Sequence, residues 1–169
     1  GLAVSRLDGL GASTALRELV ASDEDGEVPG ALRPLVLQAV DRLSEIIGDR
    51  RTGGVETGEK QISVVIVDSR TRPELVRQLG RAVAARIGGK PLGVVGISGQ
   101  DPTRHDVGSA FRLAEVARRL TLQTWSAQML EELRDSVVVL VDDWSDSGWT
   151  LTVAASLLRE AGAAAVHPF

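Results

Sequence analysis

From residue 61 onward the chain alternates between two textures. "ISVVIV" (62–67), "LGVVGIS" (92–98) and "SVVVLV" (136–141) are short runs dominated by aliphatic residues. They are too apolar for strands with one wet face, so they are expected as strands covered on both sides. The segments between them repeat apolar residues at three and four. "PELVRQLGRAVAARIG" places Leu75, Val76, Leu79, Ala82, Val83 and Ile87 on one helical face, and Leu113, Val116, Ala117 and Leu120 do the same over Ala110–Leu120. "TLQTWSAQMLEEL" predicts a short helix before the third strand. "LTVAASLLREA" predicts a longer one after it, stopped by Gly162 and followed by a last strand in "AAAVHPF". Strands alternating with helices specify an α/β fold: a parallel, Rossmann-like sheet with helices on both faces and right-handed crossovers.

The first 60 residues are less regular. "GASTALRELV" is helix-compatible through Leu16 and Leu19, and "ASDEDGEVPG" reads as an acidic, solvated turn in which Asp23, Glu24 and Asp25 face water. Residues 31–47 form an amphipathic helix, with Leu35, Val36, Ala39, Val40, Leu43, Ile46 and Ile47 on its apolar side. "GDRRTGGVETGEK" has two glycine interruptions and no period, and is expected as a connector. Residues 1–60 are thus a helical entry and 61–169 the α/β core, together one compact domain.

Composition changes this picture by exclusion. A net charge of -4 and a pI near 5.2 argue against a chain whose main task is to neutralise nucleic-acid phosphates. With no cysteine there are no disulfides or thiolate metal sites, and His105 and His167 alone do not make a zinc centre. No apolar segment approaches the roughly 20 residues a bilayer needs, and no signal peptide is evident, so a soluble, cytoplasmic protein is expected. The chain opens on Gly1 rather than methionine and closes at Phe169 inside a strand pattern, so the further expectation is a domain cut from a longer protein.

Candidate chemistry concentrates where the third strand ends. Asp142 and Asp143 follow the aliphatic run directly, and neighbouring residues of a strand point to opposite faces. The pair therefore cannot flank a glycosidic bond as acid and nucleophile. At a strand end, however, adjacent carboxylates can grip two neighbouring ribose hydroxyls or hold Mg²⁺. The following "DSGWT" puts small residues and hydroxyls just ahead of a helix starting near Leu151, so the amides of Ser147, Gly148, Trp149 and Thr150 can converge on an anion. The plain alternative is an ordinary strand-to-helix turn with Asp146 or Ser147 as N-cap. A Walker B reading fails because no "GxxxxGK[ST]" occurs.

The run "VVLVDDWSDSGWT" (138–150) resembles the phosphoribosyl pyrophosphate loop of type I phosphoribosyltransferases, with Trp144 and Ser145 standing where that family usually has aliphatics. The resemblance implies the type I phosphoribosyltransferase fold. It also implies that Asp142 and Asp143 meet ribose hydroxyls and Mg²⁺, while Asp146, Ser147, Gly148, Trp149 and Thr150 hold the 5′-phosphate. The loop after the first strand (Asp68, Ser69, Arg70, Thr71) would take pyrophosphate, and "GQDPTRHDVGS" would form a hood with Arg104 as its cation. "VDSRTRPELVRQLGRAVA", "VGSAFRLAEV" and "VDDWSDSGWTLTVAASLLREAGAAAV" are further similar to the phosphoribosyltransferase-like module at the carboxyl end of some bacterial RecQ-type DNA helicases, itself similar to ComF-like competence proteins.

Two functions follow from these resemblances. One is a domain that binds phosphoribosyl pyrophosphate or a ribose 5-phosphate moiety with Mg²⁺ and, if catalytic, exchanges pyrophosphate for a nitrogen nucleophile at ribose C1. The other is a non-catalytic accessory module that regulates a helicase or contacts DNA or a partner protein. For Arg70 and Arg72 the alternative is solvated residues before a helix. Arg77, Arg81 and Arg86 read as a helix's wet side. His105 reads as a surface loop residue and His167 as structural, and Trp144 and Trp149 either flank a ligand or pack on loops.

Overall fold

The computed structural model describes residues 13–21, 25–52, 60–99, 109–145 and 147–169. Six helices, α1 (Ser13–Ala21), α2 (Arg33–Thr52), α3 (Pro73–Ile87), α4 (Ser109–Arg119), α5 (Ala127–Leu133) and α6 (Trp149–Glu160), are present among them. They accompany β1 (Ile62–Val67), β2 (Lys90–Ile97), β3 (Leu120–Thr121), β4 (Val137–Val141) and β5 (Ala165–Pro168). The strands form one sheet in the order β3-β2-β1-β4-β5. β1 pairs in parallel with β2 and β4, and β4 in parallel with β5.

Continuous apolar runs became strands because this sheet is covered on both faces. Along β4, Val137, Val139 and Val141 join one core cluster with Val40, Leu43 and Ile47 of α2 and Leu79, Val83 and Ala84 of α3. The alternate residues Val138 and Leu140 join the other, with Leu133 of α5 and Ala154 and Leu158 of α6. All five β4 residues are buried, so the period of two survives in space although it is invisible in polarity. A single sheet thus serves two helical layers, as the sequence predicts.

Close contacts set the layer spacing. A Cβ at Gly80 in α3 would lie 2.4 Å from Ile66 Cγ2, so this glycine lets α3 settle onto β1. Trp125 covers the other face beside β2 and donates from Nε1 to the Val94 carbonyl at 2.7 Å.

Several boundaries differ from expectation. α2 continues through Gly48 to Thr52, into the stretch expected as a connector from residue 48, and residues 53–59 of that stretch lie outside the described residues. One solvent-facing glycine costs a helix only about 1 kcal/mol relative to alanine, and Ile47 anchors the turn in the core. Leu120, expected in a helix, opens β3, a two-residue strand antiparallel to β2 and too short to carry a period. Ala82 is exposed and Ala84 is buried in its place on α3. Arg77, Arg81 and Arg86 are exposed as expected, and Arg86 makes a two-pronged bond to Asp41 of α2 at 2.7 and 2.9 Å.

Candidate functional site

The strand order locates the crevice. From β1 the chain crosses through α3 to β2 on one side, and later enters β4 on the other. The loops after β1 and β4 therefore leave adjacent strands in opposite directions, and open α/β sheets bind ligands in the gap this creates. Both loops are the ones the sequence marks.

β4 delivers the acid pair. The Asp142 amide donates to the Phe169 carbonyl at 3.1 Å, extending the ladder one residue beyond the strand, after which the chain turns. The Asp143 amide donates to Asp142 Oδ1 at 3.0 Å, so the second residue's backbone orients the first residue's carboxylate. Both residues are half-buried. Burial, followed by the adjacent Asp143 charge, pushes the Asp142 carboxyl up to about 7. A group raised in this way is stabilised by whatever brings it donors or positive charge.

The β1 loop meets the β4 loop through one side chain. Ser69 Oγ donates to Asp143 Oδ2 at 3.4 Å and accepts from the Arg72 amide at 3.1 Å, so it ties the start of α3 to the acid pair. Arg70 is exposed and donates to the Gly99 carbonyl at the end of β2, on the far side of β1 from Asp142. Thr71 is exposed as well. Arg72, instead of being simply solvated, is half-buried and reaches the Leu19 carbonyl of α1 at 2.8 Å. Arg104 and Asp146 lie outside the described residues, as does His105.

The turn expected to hold an anion opens α6. Its N-cap is Gly148, in the left-handed region with φ 75°, rather than the Asp146 or Ser147 of the plain-turn reading. Among the described residues no side chain caps this helix. The helix begins at Trp149, two residues earlier than expected, which places Trp149 and Thr150 in its first turn. Their amides belong to the set that has no intrahelical partner at the positive helix end. Trp149 and Thr150 are half-buried, while Ser147 and Trp144 are exposed.

Asp25 was missed by sequence reasoning. Expected in water, it stays exposed but accepts the Glu74 and Leu75 amides, each at 2.9 Å, at the head of α3. The available signal was Pro73 at the first position of α3 with no capping side chain beside it. Such a helix start takes a donor-satisfying group from elsewhere.

These elements define a doubly wound α/β domain with an acid pair and a glycine-capped helix start at its switch point. The phosphoribosyl transferase domain family matches residues 34–168, and the chain belongs to it, in the type I fold expected from the sequence. No curated protein matches the chain. Among solved structures, a hypoxanthine phosphoribosyltransferase from Trypanosoma cruzi in a ternary substrates complex is similar at 12% identity and TM-score 0.47, over 79% of this chain and 64% of that one. One from Staphylococcus aureus is similar at 11% and 0.44, over 78% and 61%. The chain thus spans less than two thirds of the length of these structures. Among the described residues no helix is long and apolar enough to cross a membrane.

Proposed function

We propose that the domain binds a 5-phosphoribosyl compound, phosphoribosyl pyrophosphate or the ribose 5-phosphate part of a nucleotide, between the β1 and β4 loops. The observation that carries this reading is the half-buried pair Asp142 and Asp143 at the end of β4, bonded to the β1 loop through Ser69 and lying a few residues ahead of the Gly148-capped start of α6. The acid pair accepts from adjacent ribose hydroxyls, which are donors. The amides from Ser147 to Thr150, with the Thr150 hydroxyl, take the 5′-phosphate. Ser69 and Thr71, in the loop after β1, are the proposed contacts for pyrophosphate.

Mg²⁺ fits this donor set. Among the described residues no three acidic or histidine side chains gather into a cage, but Mg²⁺ is commonly held by one or two carboxylates together with substrate phosphates. Asp142 and Asp143 would supply the carboxylates, and the ion would add neutralisation of pyrophosphate charge. If transfer occurs, the chain's contribution is positioning and charge stabilisation at C1, without a covalent intermediate.

The wider setting we propose is a RecQ-type DNA helicase carrying this module at its carboxyl end, on the strength of the three sequence stretches that resemble that module. Arg70 turned toward Gly99, away from the acid pair, supports the second reading of an accessory module that keeps the pocket without the chemistry. Calorimetric titration of phosphoribosyl pyrophosphate with Mg²⁺ is expected to give micromolar binding that Asp142→Asn and Thr150→Ala abolish. Absence of heat, together with no competition by ribose 5-phosphate, overturns the ligand reading. An acceptor-base screen on the binding-competent protein then separates transferase from accessory module.

A further inference from the structure

Asp25 and Leu19 precede the span that matches the family, residues 34–168, yet both are bonded to the element that carries the first site loop. Pro73 opens α3 and has no amide hydrogen, so the helix's first donors are Glu74 and Leu75. Asp25 takes both, Oδ2 from Glu74 and Oδ1 from Leu75, each at 2.9 Å. A bidentate carboxylate at the positive end of a helix is a favourable arrangement in charge as well as in geometry. One residue before Pro73, Arg72 donates from Nη2 to the Leu19 carbonyl of α1 at 2.8 Å. The N-terminal segment therefore grips the chain at Arg72, Glu74 and Leu75.

The grip reaches the acid pair in two more bonds. The Arg72 amide donates to Ser69 Oγ at 3.1 Å, and Ser69 Oγ donates to Asp143 Oδ2 at 3.4 Å. The backbone from Ser69 to Leu75 is thus held at one end by Asp25 and α1 and linked at the other to the β4 loop. We propose that Asp25 is a positioning residue. By fixing the head of α3 it holds Ser69 against Asp143 in the arrangement that receives the ligand, so docking of the N-terminal segment and occupancy of the site favour each other. The identity of the ligand rests on the function proposed above. The coupling does not, because it is a property of the bonds within the chain. Ordering the loop in advance spares the ligand that entropic cost, and the linkage is reciprocal.

Two measurements test this. In calorimetry with phosphoribosyl pyrophosphate and Mg²⁺, Asp25→Ala is expected to weaken binding about five- to tenfold, the lower part of the usual coupling range. Asp25→Asn, which keeps one acceptor oxygen, is expected to recover part of the loss and guards against an unfolded alanine variant. A lowered unfolding midpoint with unchanged affinity would mean a cap that serves the fold alone, and would overturn the proposal. The second measurement needs no ligand: a denaturant double-mutant cycle between Asp25→Ala and Asp143→Ala. The proposal expects non-additive stabilities, whereas independent sites add; additivity overturns it. A wild type that binds neither phosphoribosyl pyrophosphate nor ribose 5-phosphate sinks the ligand reading, and the cycle then decides the coupling.

Discussion

A carboxylate crowded by another carboxylate and shielded from water is a local liability that the fold tolerates at Asp142. Its folded value of about 7 lies well above the ordinary value near 4. Between these values the native state holds a proton that the unfolded chain has released. The sign follows directly: this group's contribution to stability is complete below about pH 4 and is lost as pH rises through 7. Asp142→Asn is therefore expected to flatten the stability profile between pH 4 and 8. It should be more stable than the wild type at pH 8 by about 1–3 kcal/mol, measured by urea unfolding across that range. An unchanged slope would refute the assignment. The acid pair was legible in the sequence because a strand end followed by acids, small residues and hydroxyls is a local pattern. Asp25 was not, because its partners lie 49 and 50 residues away and no local pattern announces a remote cap.

Elements were legible wherever a helical period or an unbroken apolar run persisted. The three central strands appear close to where their aliphatic runs put them and the apolar faces of α2 and α3 close to where spacing put them, whereas β3 has only two residues and its pairing with β2 is decided by tertiary position. The end of α2 was hidden for the opposite reason, since a glycine that suggests a break in sequence is tolerable once the preceding turn is anchored. Gly80 shows how an element's position depends on a missing side chain. Alanine there gains helix propensity of about 1 kcal/mol but meets Ile66 Cγ2 at 2.4 Å, and overpacking of this kind costs about 1–3 kcal/mol. Gly80→Ala is expected to lower the unfolding midpoint in the wild type and to raise it in an Ile66→Ala background. The same sign in both backgrounds would show that α3 slides away from β1 without difficulty.

At the scale of the molecule, α2 and α3 lie on one side of the sheet and α5 and α6 on the other, and neither layer has a core without β1 and β4. The division into an entry segment up to residue 60 and a core after it therefore describes the sequence better than the energetics. We propose a single cooperative unit. Helical circular dichroism and tryptophan fluorescence, which senses Trp125 beneath β2, should then report the same midpoint in guanidinium. Separate transitions would identify residues 1–60 as a unit of their own. The α/β class was readable from alternation alone. The strand order that creates the crevice was not, since right-handed crossovers permit β4 on either side of β1.

The enclosure of β4 has another face during synthesis and refolding, when no helix yet covers it. Val137–Val141 is then an uncharged, mostly β-branched stretch of the kind that nucleates intermolecular stacking. Arg134 and Asp135 on one flank and Asp142 and Asp143 on the other are charges placed as gatekeepers commonly are around such segments. The residues proposed above to hold a ribose would thus also shield an adhesive segment of the nascent chain.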